Sequence, residues 1–185
     1  MMKQHSMARR LRKAALASFL VAVALPQAAM ATPAGAGAEG VQVPAGQQLM
    51  LETVGRGLIT YECRAKKDAA GQFEWGFLGP DAVLTDRGGK SVGRYFGPPA
   101  TWEHADGSKV TGTQLATAPA GAGNIPLQLV KTNPAMGKGA MSEVSYIQRM
   151  ATQGGVAPAQ ACTADNLGQK TQVQYQADYL FYRSV

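Results

Sequence analysis

Three polar residues at alternate positions, His104, Asp106 and Ser108, are of the types that form nucleophilic catalytic sites. A Ser-His-Asp site is defined by its geometry, however, and sequence spacing alone does not establish one. Asp106-Gly107 lies between two extended segments and predicts a hairpin turn, because the turns favoured in hairpins need positive φ. A solvated hairpin is therefore the favoured interpretation. A hydrolase with a carboxylate-based site near Trp102, His104 and Asp106 is the alternative.

Paired carboxylates could also carry chemistry. Glu103 together with Glu74 or Glu62 could supply the acid and the base of glycoside hydrolysis. Such pairs arise by chance in any soluble domain, and outward strand positions are their ordinary place. Such pairs do not by themselves indicate an enzyme. The sequence therefore leaves catalysis open, and a non-catalytic protein is the favoured interpretation.

Metal ligands are scarce in this sequence. After residue 31 the only histidine is His104, and the two cysteines are better explained as a disulfide. Too few nitrogen and sulfur ligands then remain for zinc or copper. Asp81, Asp86, Asp106 and Asp165 could still offer oxygen ligands to calcium, although none shows the regular spacing of a calcium loop. We expect no metal and no cofactor.

Cys63 and Cys162 are the only cysteines in the chain. Two cysteines in an exported protein pair by default, so we predict a disulfide between them. Two free buried thiols are the alternative. The bond would close a loop of about 100 residues, for which chain entropy predicts a stabilisation of roughly 4.7 kcal/mol.

Most aromatic residues occupy alternating strand positions that favour core packing. Trp102 differs, because it lies beside the Gly97-Pro98-Pro99 loop and the predicted hairpin, where it could line a pocket or stack on a carbohydrate. Together with Tyr95, His104 and Asp106 it forms the predicted ligand site.

The first 31 residues have the features of a secretory signal peptide. Basic side chains precede an apolar run at residues 14–25, and Ala29-Met30-Ala31 offers small residues at the cleavage positions. The run is too short to span a bilayer, and an N-terminal anchor is the alternative. We expect cleavage near Ala31, export to the periplasm or the exterior, and no membrane span in the mature chain.

Charge excludes one class of partner. Five of the 18 basic residues and none of the 12 acidic residues lie in residues 1–31, so the remainder carries a net charge of only +1. No basic surface for nucleic acid is therefore expected.

Alternating apolar and polar residues predict about nine strands with at most one or two short helical turns, one of them around Cys162. Residues 48–54 and 57–64 form the first two strands, and Gly79-Pro80 is expected to end the next one, whose aromatic face is Phe73, Trp75 and Phe77. Residues 141–151 suit a strand or a helix, and strand is favoured. The clearest strand is the last. Its apolar face consists of Val173, Tyr175, Ala177, Tyr179 and Phe181.

These patterns indicate an all-β antiparallel sandwich or barrel. A flexible lead-in at residues 32–45 precedes a single domain at residues 46–185.

Several segments resemble a family of bacterial and fungal secreted proteins known as domain of unknown function 3455. The resemblance rests on residues 57–63, 75–84, 102–110, 146–162 and 175–182. It implies a secreted domain with two matching cysteines and no established activity. Some fungal members carry a malate dehydrogenase label, which this sequence does not support, since no Gly-x-Gly-x-x-Gly motif follows a predicted strand. Family members often have a histidine before the Gly-Pro element, where this chain has Arg94-Tyr95-Phe96.

The favoured function is a non-catalytic binding or envelope-associated module. Its partner would be a small molecule, a glycan or a protein.

Overall fold

The computed structural model describes residues 39–185, and the predicted signal peptide lies outside these residues. The described chain is almost entirely extended, with a single 3₁₀ turn at Ala164–Asn166. Its eight strands are β1 (Gln47–Ala65), β2 (Phe73–Thr85), β3 (Ser91–Phe96), β4 (Thr101–His104), β5 (Lys109–Ala118), β6 (Leu127–Thr132), β7 (Val144–Gly154) and β8 (Lys170–Ser184). No helix among the described residues is long and apolar enough to cross a membrane.

The strands form a closed antiparallel barrel in which each strand pairs with its neighbours in sequence and β8 pairs with β1. Closure pairs every strand with two neighbours, although residues 73–80 of β2 and 112–118 of β5 extend past the short strands β3 and β4 and pair on one side only. The all-β prediction is confirmed, and of its two architectures the barrel is the one found. Because neighbouring strands run in opposite directions, the β1–β2, β3–β4, β5–β6 and β7–β8 connections share one end of the barrel. We call this the disulfide end, because Cys63 and Cys162 lie there. The opposite end carries the β4–β5 turn with His104, Asp106 and Ser108, and we call it the clasp end.

The described chain has eight strands where about nine were predicted, because residues 48–54 and 57–64 belong to one continuous strand, β1. Gly55 and Gly57 look like a break in the sequence, but they permit close packing within the sheet. A Cβ atom on Gly55 would lie 2.6 Å from Cε2 of Tyr179, and one on Gly57 would lie 2.1 Å from the carbonyl oxygen of Asp81. Glycine is therefore required at these strand positions.

The predicted end of β2 at Gly79-Pro80 was also wrong. Pro80 pairs with Ile59 inside the β1–β2 ladder, next to a register shift between Thr60 and Tyr61. This shift also bears on the aromatic face of β2. Phe77, which pairs with Tyr61 beyond the shift, has 54% of its surface exposed instead of packing in the core.

The inner face of the barrel is formed by side chains that alternate along the strands. On β8, Tyr175, Ala177, Tyr179 and Phe181 are buried, which confirms the predicted apolar face of this strand. They pack with residues from every other strand in one core cluster. The strand prediction for residues 141–151 is confirmed by β7.

A second, smaller cluster lies on the outer face of β5, β6 and β7. There Val41 is fully buried against Ala118, Leu127 and Leu129. The side-chain amide of Gln148 donates to the carbonyl oxygen of Val41. The chain before β1 is thus attached to the outside of the barrel from residue 41 onward.

Candidate functional site

The predicted disulfide is confirmed. Cys63 on β1 is bonded to Cys162 in the long β7–β8 connection, with 5.3 Å between their Cα atoms. Two further contacts fix this connection: Gly168 donates to the carbonyl oxygen of Cys63, and Trp75 Nε1 donates to that of Gln160. The bond therefore anchors an irregular segment across the disulfide end of the barrel.

His104, Asp106 and Ser108 do come together in space, at the clasp end. Asp106 Oδ1 accepts hydrogen bonds from the backbone and the hydroxyl of Ser108, at 2.9 and 2.6 Å. Oδ2 accepts from the backbone N–H of Ala140 and lies 3.0 Å from His104 Nδ1. These hydrogen bonds, the one from the Ser108 hydroxyl first, hold the pKa of Asp106 well below its usual range.

This arrangement is unlike that of a serine hydrolase, in which the histidine accepts the proton of the serine. Here the carboxylate lies between them, and the Ser108 hydroxyl donates to it. Ser108 is fully buried and also accepts a hydrogen bond from the backbone of Met141. The group connects the β4–β5 hairpin to the β6–β7 connection, so we call these three residues the clasp.

One further motif had been overlooked. Gly89-Lys90-Ser91-Val92-Gly93 has the Gly-x-Ser-x-Gly spacing of a hydrolase nucleophile elbow. That elbow requires a strand, a sharp turn and then a helix. Here the segment forms the β2–β3 turn and the start of the antiparallel strand β3. It therefore lacks the setting that makes the serine a nucleophile.

Tyr95 and Trp102, the other two predicted site residues, lie together inside the barrel. Their rings stack at 4.6 Å between centroids, and Tyr179 approaches both, at 5.1 Å from Tyr95 and 6.0 Å from Trp102. Trp102 has 1% of its surface exposed, which does not suit a carbohydrate-stacking platform on the surface. A role in lining an interior site stays a prediction, as does any ligand contact by His104 or Asp106.

Two buried polar atoms beside this aromatic group have no hydrogen-bond partner among the described residues. They are the indole Nε1 of Trp102 and the hydroxyl Oγ1 of Thr53. Both residues adjoin Tyr179, because Thr53 is its cross-strand partner on β1 and the ring centroid of Trp102 lies 6.0 Å from that of Tyr179. A buried donor without a partner is costly and usually indicates strain, an unseen water molecule or a ligand position.

Arg149 on β7 also borders this part of the interior, and the sequence did not predict it. It pairs with Tyr179 on β8, and Ile147 pairs with Phe181 in the same ladder. Cross-strand partners point to the same face of a sheet, so Arg149 lies on the inner face of the barrel. The available signal was its position two residues after the apolar Ile147, which places both on one face.

The guanidinium of Arg149 points toward the disulfide end. Its Nε and Nη2 both donate to the carbonyl oxygen of Pro126, at 3.1 and 2.9 Å. Next to it, the register of β7 with β8 shifts between Met150 and Gln153, and Ala151 has a φ of 48°. This backbone costs about 1 kcal/mol for a non-glycine residue and directs the Thr152 hydroxyl to the carbonyl oxygen of Ile125.

Four tyrosines surround this part of the interior. Burial raises the pKa of Tyr61, Tyr95, Tyr175 and Tyr179, and the positive charge of Arg149 opposes the rise in each case. Their hydroxyl groups are therefore neutral at physiological pH. Three of these hydroxyl groups have partners: the oxygens of Tyr175 and Tyr179 lie 3.3 Å apart, and the Tyr61 hydroxyl donates to the carbonyl oxygen of Gly155.

The described residues offer no cluster of metal-ligating side chains. Among residues 39–185, no group of three or more His, Cys, Asp or Glu side chains is placed to hold a metal ion.

Comparison with known proteins gives one match. The family model described as "Protein of unknown function (DUF3455)" matches residues 44–183. No curated protein and no solved structure matches the chain.

Proposed function

The chain belongs to the DUF3455 family of proteins of unknown function, and we propose that its barrel is a non-catalytic binding module for a small, largely apolar molecule. The molecule would bind inside the barrel, beside Trp102 and Tyr179. The predicted signal peptide and the Cys63–Cys162 bond support a role outside the cytoplasm.

The observation that carries this proposal is where the unpaired polar atoms lie. Five polar residues of the described chain are buried, and four of them have hydrogen-bond partners: Thr101, Ser108, Gln148 and Thr152. Thr53 is the exception, and Trp102 carries the other unpaired atom. Both residues are neighbours of Tyr179, so the two unpaired atoms belong to the same part of the interior.

The barrel type supports this location. An eight-stranded barrel has an interior just wide enough to be filled by side chains or to hold one small ligand. Small-molecule sites are mostly apolar and aromatic, with a few polar groups that orient the ligand. The stacked pair Tyr95–Trp102, the ring of Tyr179 and the two unpaired polar atoms have this composition.

Trp102 fluorescence offers a direct test. The chain has two tryptophans, so Trp75→Phe leaves Trp102 as the only indole emitter. N-phenyl-1-naphthylamine, a neutral apolar dye, should quench Trp102 in a saturable way and raise the melting temperature. At 100 times its Kd, a bound ligand adds about 2.7 kcal/mol to the free energy of unfolding.

The matched control is Trp102→Phe, which keeps Trp75 outside the proposed site. In this variant the indole emission should no longer respond to the dye. The proposal fails if Trp102 emission and the melting temperature of the Trp75→Phe protein both stay unchanged up to the solubility limit of the dye.

A further inference from the structure

We infer that Arg149 makes this interior site selective for anions, so that its ligands are small amphipathic acids. The carboxylate or sulfonate group would bind the guanidinium of Arg149, and the apolar part would lie beside Trp102 and Tyr179. This inference rests on the proposed function.

Arg149 differs from the other arginines of the barrel in its partners. Four of them form ion pairs with carboxylates: Arg64, Arg87, Arg94 and Arg183. Arg56, on the outer face, donates to the side chain of Gln176. Among residues 39–185, Arg149 forms no ion pair, and its only hydrogen-bond acceptor is the carbonyl oxygen of Pro126.

The strand registers explain why no carboxylate reaches it. Asp178, the nearest acidic residue on β8, lies opposite Met150 and therefore points to the outer face. There it forms an ion pair with Arg87 at 2.9 Å. The two direct cross-strand partners of Arg149, which share its face, are Tyr179 and Gln128, and both are neutral.

Arg149 is half-buried, and its contact with Pro126 is exposed, so water screens its charge in part; the buried part of the cost remains unless the charge is paired. One carbonyl oxygen uses Nε and Nη2, whereas a guanidinium carries five N–H donors in a planar fork. The remaining donors suit a carboxylate or sulfonate, which arginine binds in a bidentate manner. The unpaired indole N–H of Trp102 is a further donor in the same interior, so both groups favour an acceptor-rich ligand.

Two dyes that differ by one acidic group provide the test. 8-Anilinonaphthalene-1-sulfonate carries a sulfonate, and N-phenyl-1-naphthylamine is its neutral analogue. The oxidised wild-type protein should bind the sulfonate more tightly than the neutral dye. Arg149→Gln should lower the affinity for the sulfonate dye by about tenfold or more, as expected for loss of a charge-assisted hydrogen bond. The affinity for the neutral dye should change by less than about twofold.

Two further variants separate charge from structure. Arg149→Lys keeps the charge but loses the planar fork, so the affinity for the sulfonate should fall between those of the wild type and Arg149→Gln. Arg56→Gln removes one positive charge from the outer face and should leave both affinities unchanged. If Arg149→Gln does not fold, the wild-type ratio of the two affinities and the Arg149→Lys variant carry the test.

The outcomes are distinct. The role of Arg149 is overturned if Arg149→Gln lowers the affinities for both dyes equally, or if the wild-type protein binds the neutral dye more tightly. Either result leaves the proposed binding function intact. If neither dye binds the wild-type protein, the binding function itself is refuted, and the inference with it.

Discussion

Two buried threonines should respond to the same substitution in opposite directions. Thr53 has 1% of its surface exposed and its hydroxyl has no partner among the described residues, whereas Thr152 has 5% exposed and donates to the carbonyl oxygen of Ile125 at 2.6 Å. Valine has the same shape as threonine with a methyl group in place of the hydroxyl. The pair therefore isolates the hydrogen bond from the packing.

The magnitudes follow from the state of each hydroxyl. Burying a hydroxyl without a partner costs about 1–3 kcal/mol, so Thr53→Val should raise the free energy of unfolding by about 1 kcal/mol. Thr152→Val removes a hydrogen bond and leaves the carbonyl of Ile125 unpaired, so it should lower the free energy of unfolding by about 1–2 kcal/mol. For a domain of this size, 1 kcal/mol corresponds to a change of about 3 °C in the melting temperature.

Equilibrium urea unfolding of the oxidised protein measures both variants against the wild type. The linear slopes should stay equal, so that the midpoints report stability alone. A decrease of more than about 0.5 kcal/mol for Thr53→Val would refute the reasoning, because it would mean that the Thr53 hydroxyl is hydrogen-bonded in solution.

Three further predictions concern the frame of the barrel. Reduction of Cys63–Cys162 should lower the free energy of unfolding by up to about 4.7 kcal/mol, given the separation of 99 residues; an unchanged urea midpoint in reductant would contradict this. Asp106→Asn should lower the melting temperature at pH 7. Because the folded pKa of Asp106 is depressed, its contribution is complete above the ordinary value of 3.8 and declines below it, so the difference from wild type should shrink as the pH falls below about 4. A difference that does not vary with pH would exclude the carboxylate as its source. Gly57→Ala should destabilise by about 1–3 kcal/mol, since its Cβ atom would meet backbone at 2.1 Å, whereas the control Gly88→Ala faces only a flexible side chain at 3.2 Å; equal melting temperatures for the two variants would be the contrary result.

The fold was largely predictable because period-2 alternation specifies a strand with one buried face. The alternation of β8 from Val173 to Phe181 was sufficient to assign its inner face. Local signals failed where the sheet needs an unusual residue inside a strand. Gly55, Gly57 and Pro80 look like strand ends in the sequence, yet they lie within β1 and β2, because their requirement comes from neighbouring strands that the sequence does not reveal.

The site was predictable only in part. Trp102 and Tyr95 were selected for their position beside a proline-rich loop, and the barrel does bring them into contact. His104 and Asp106 were selected for their residue types, but the turn places them at the clasp end, where their contacts are with the β6–β7 connection. Spacing along a hairpin does not reveal which groups a carboxylate will contact from another part of the chain.

Arg149 was not predicted because it departs from the alternation of apolar and polar residues that predicted the fold. Alternation along β7 makes Ile147 and Arg149 neighbours on the inner face, and binary patterning alone would place an apolar residue at both. A chain that needed only packing at this half-buried position would be better served by a hydrocarbon side chain, since partial desolvation of a charge costs some free energy when no ion pair offsets it. Departures from such local rules concentrate at functional sites. The Thr53 and Trp102 atoms depart from a second rule, the pairing of buried polar groups, and they do so around the same residue, Tyr179, that pairs with Arg149. Imperfect packing gives no reason for the two departures to coincide at one side chain, whereas the proposed ligand site would require both of them there.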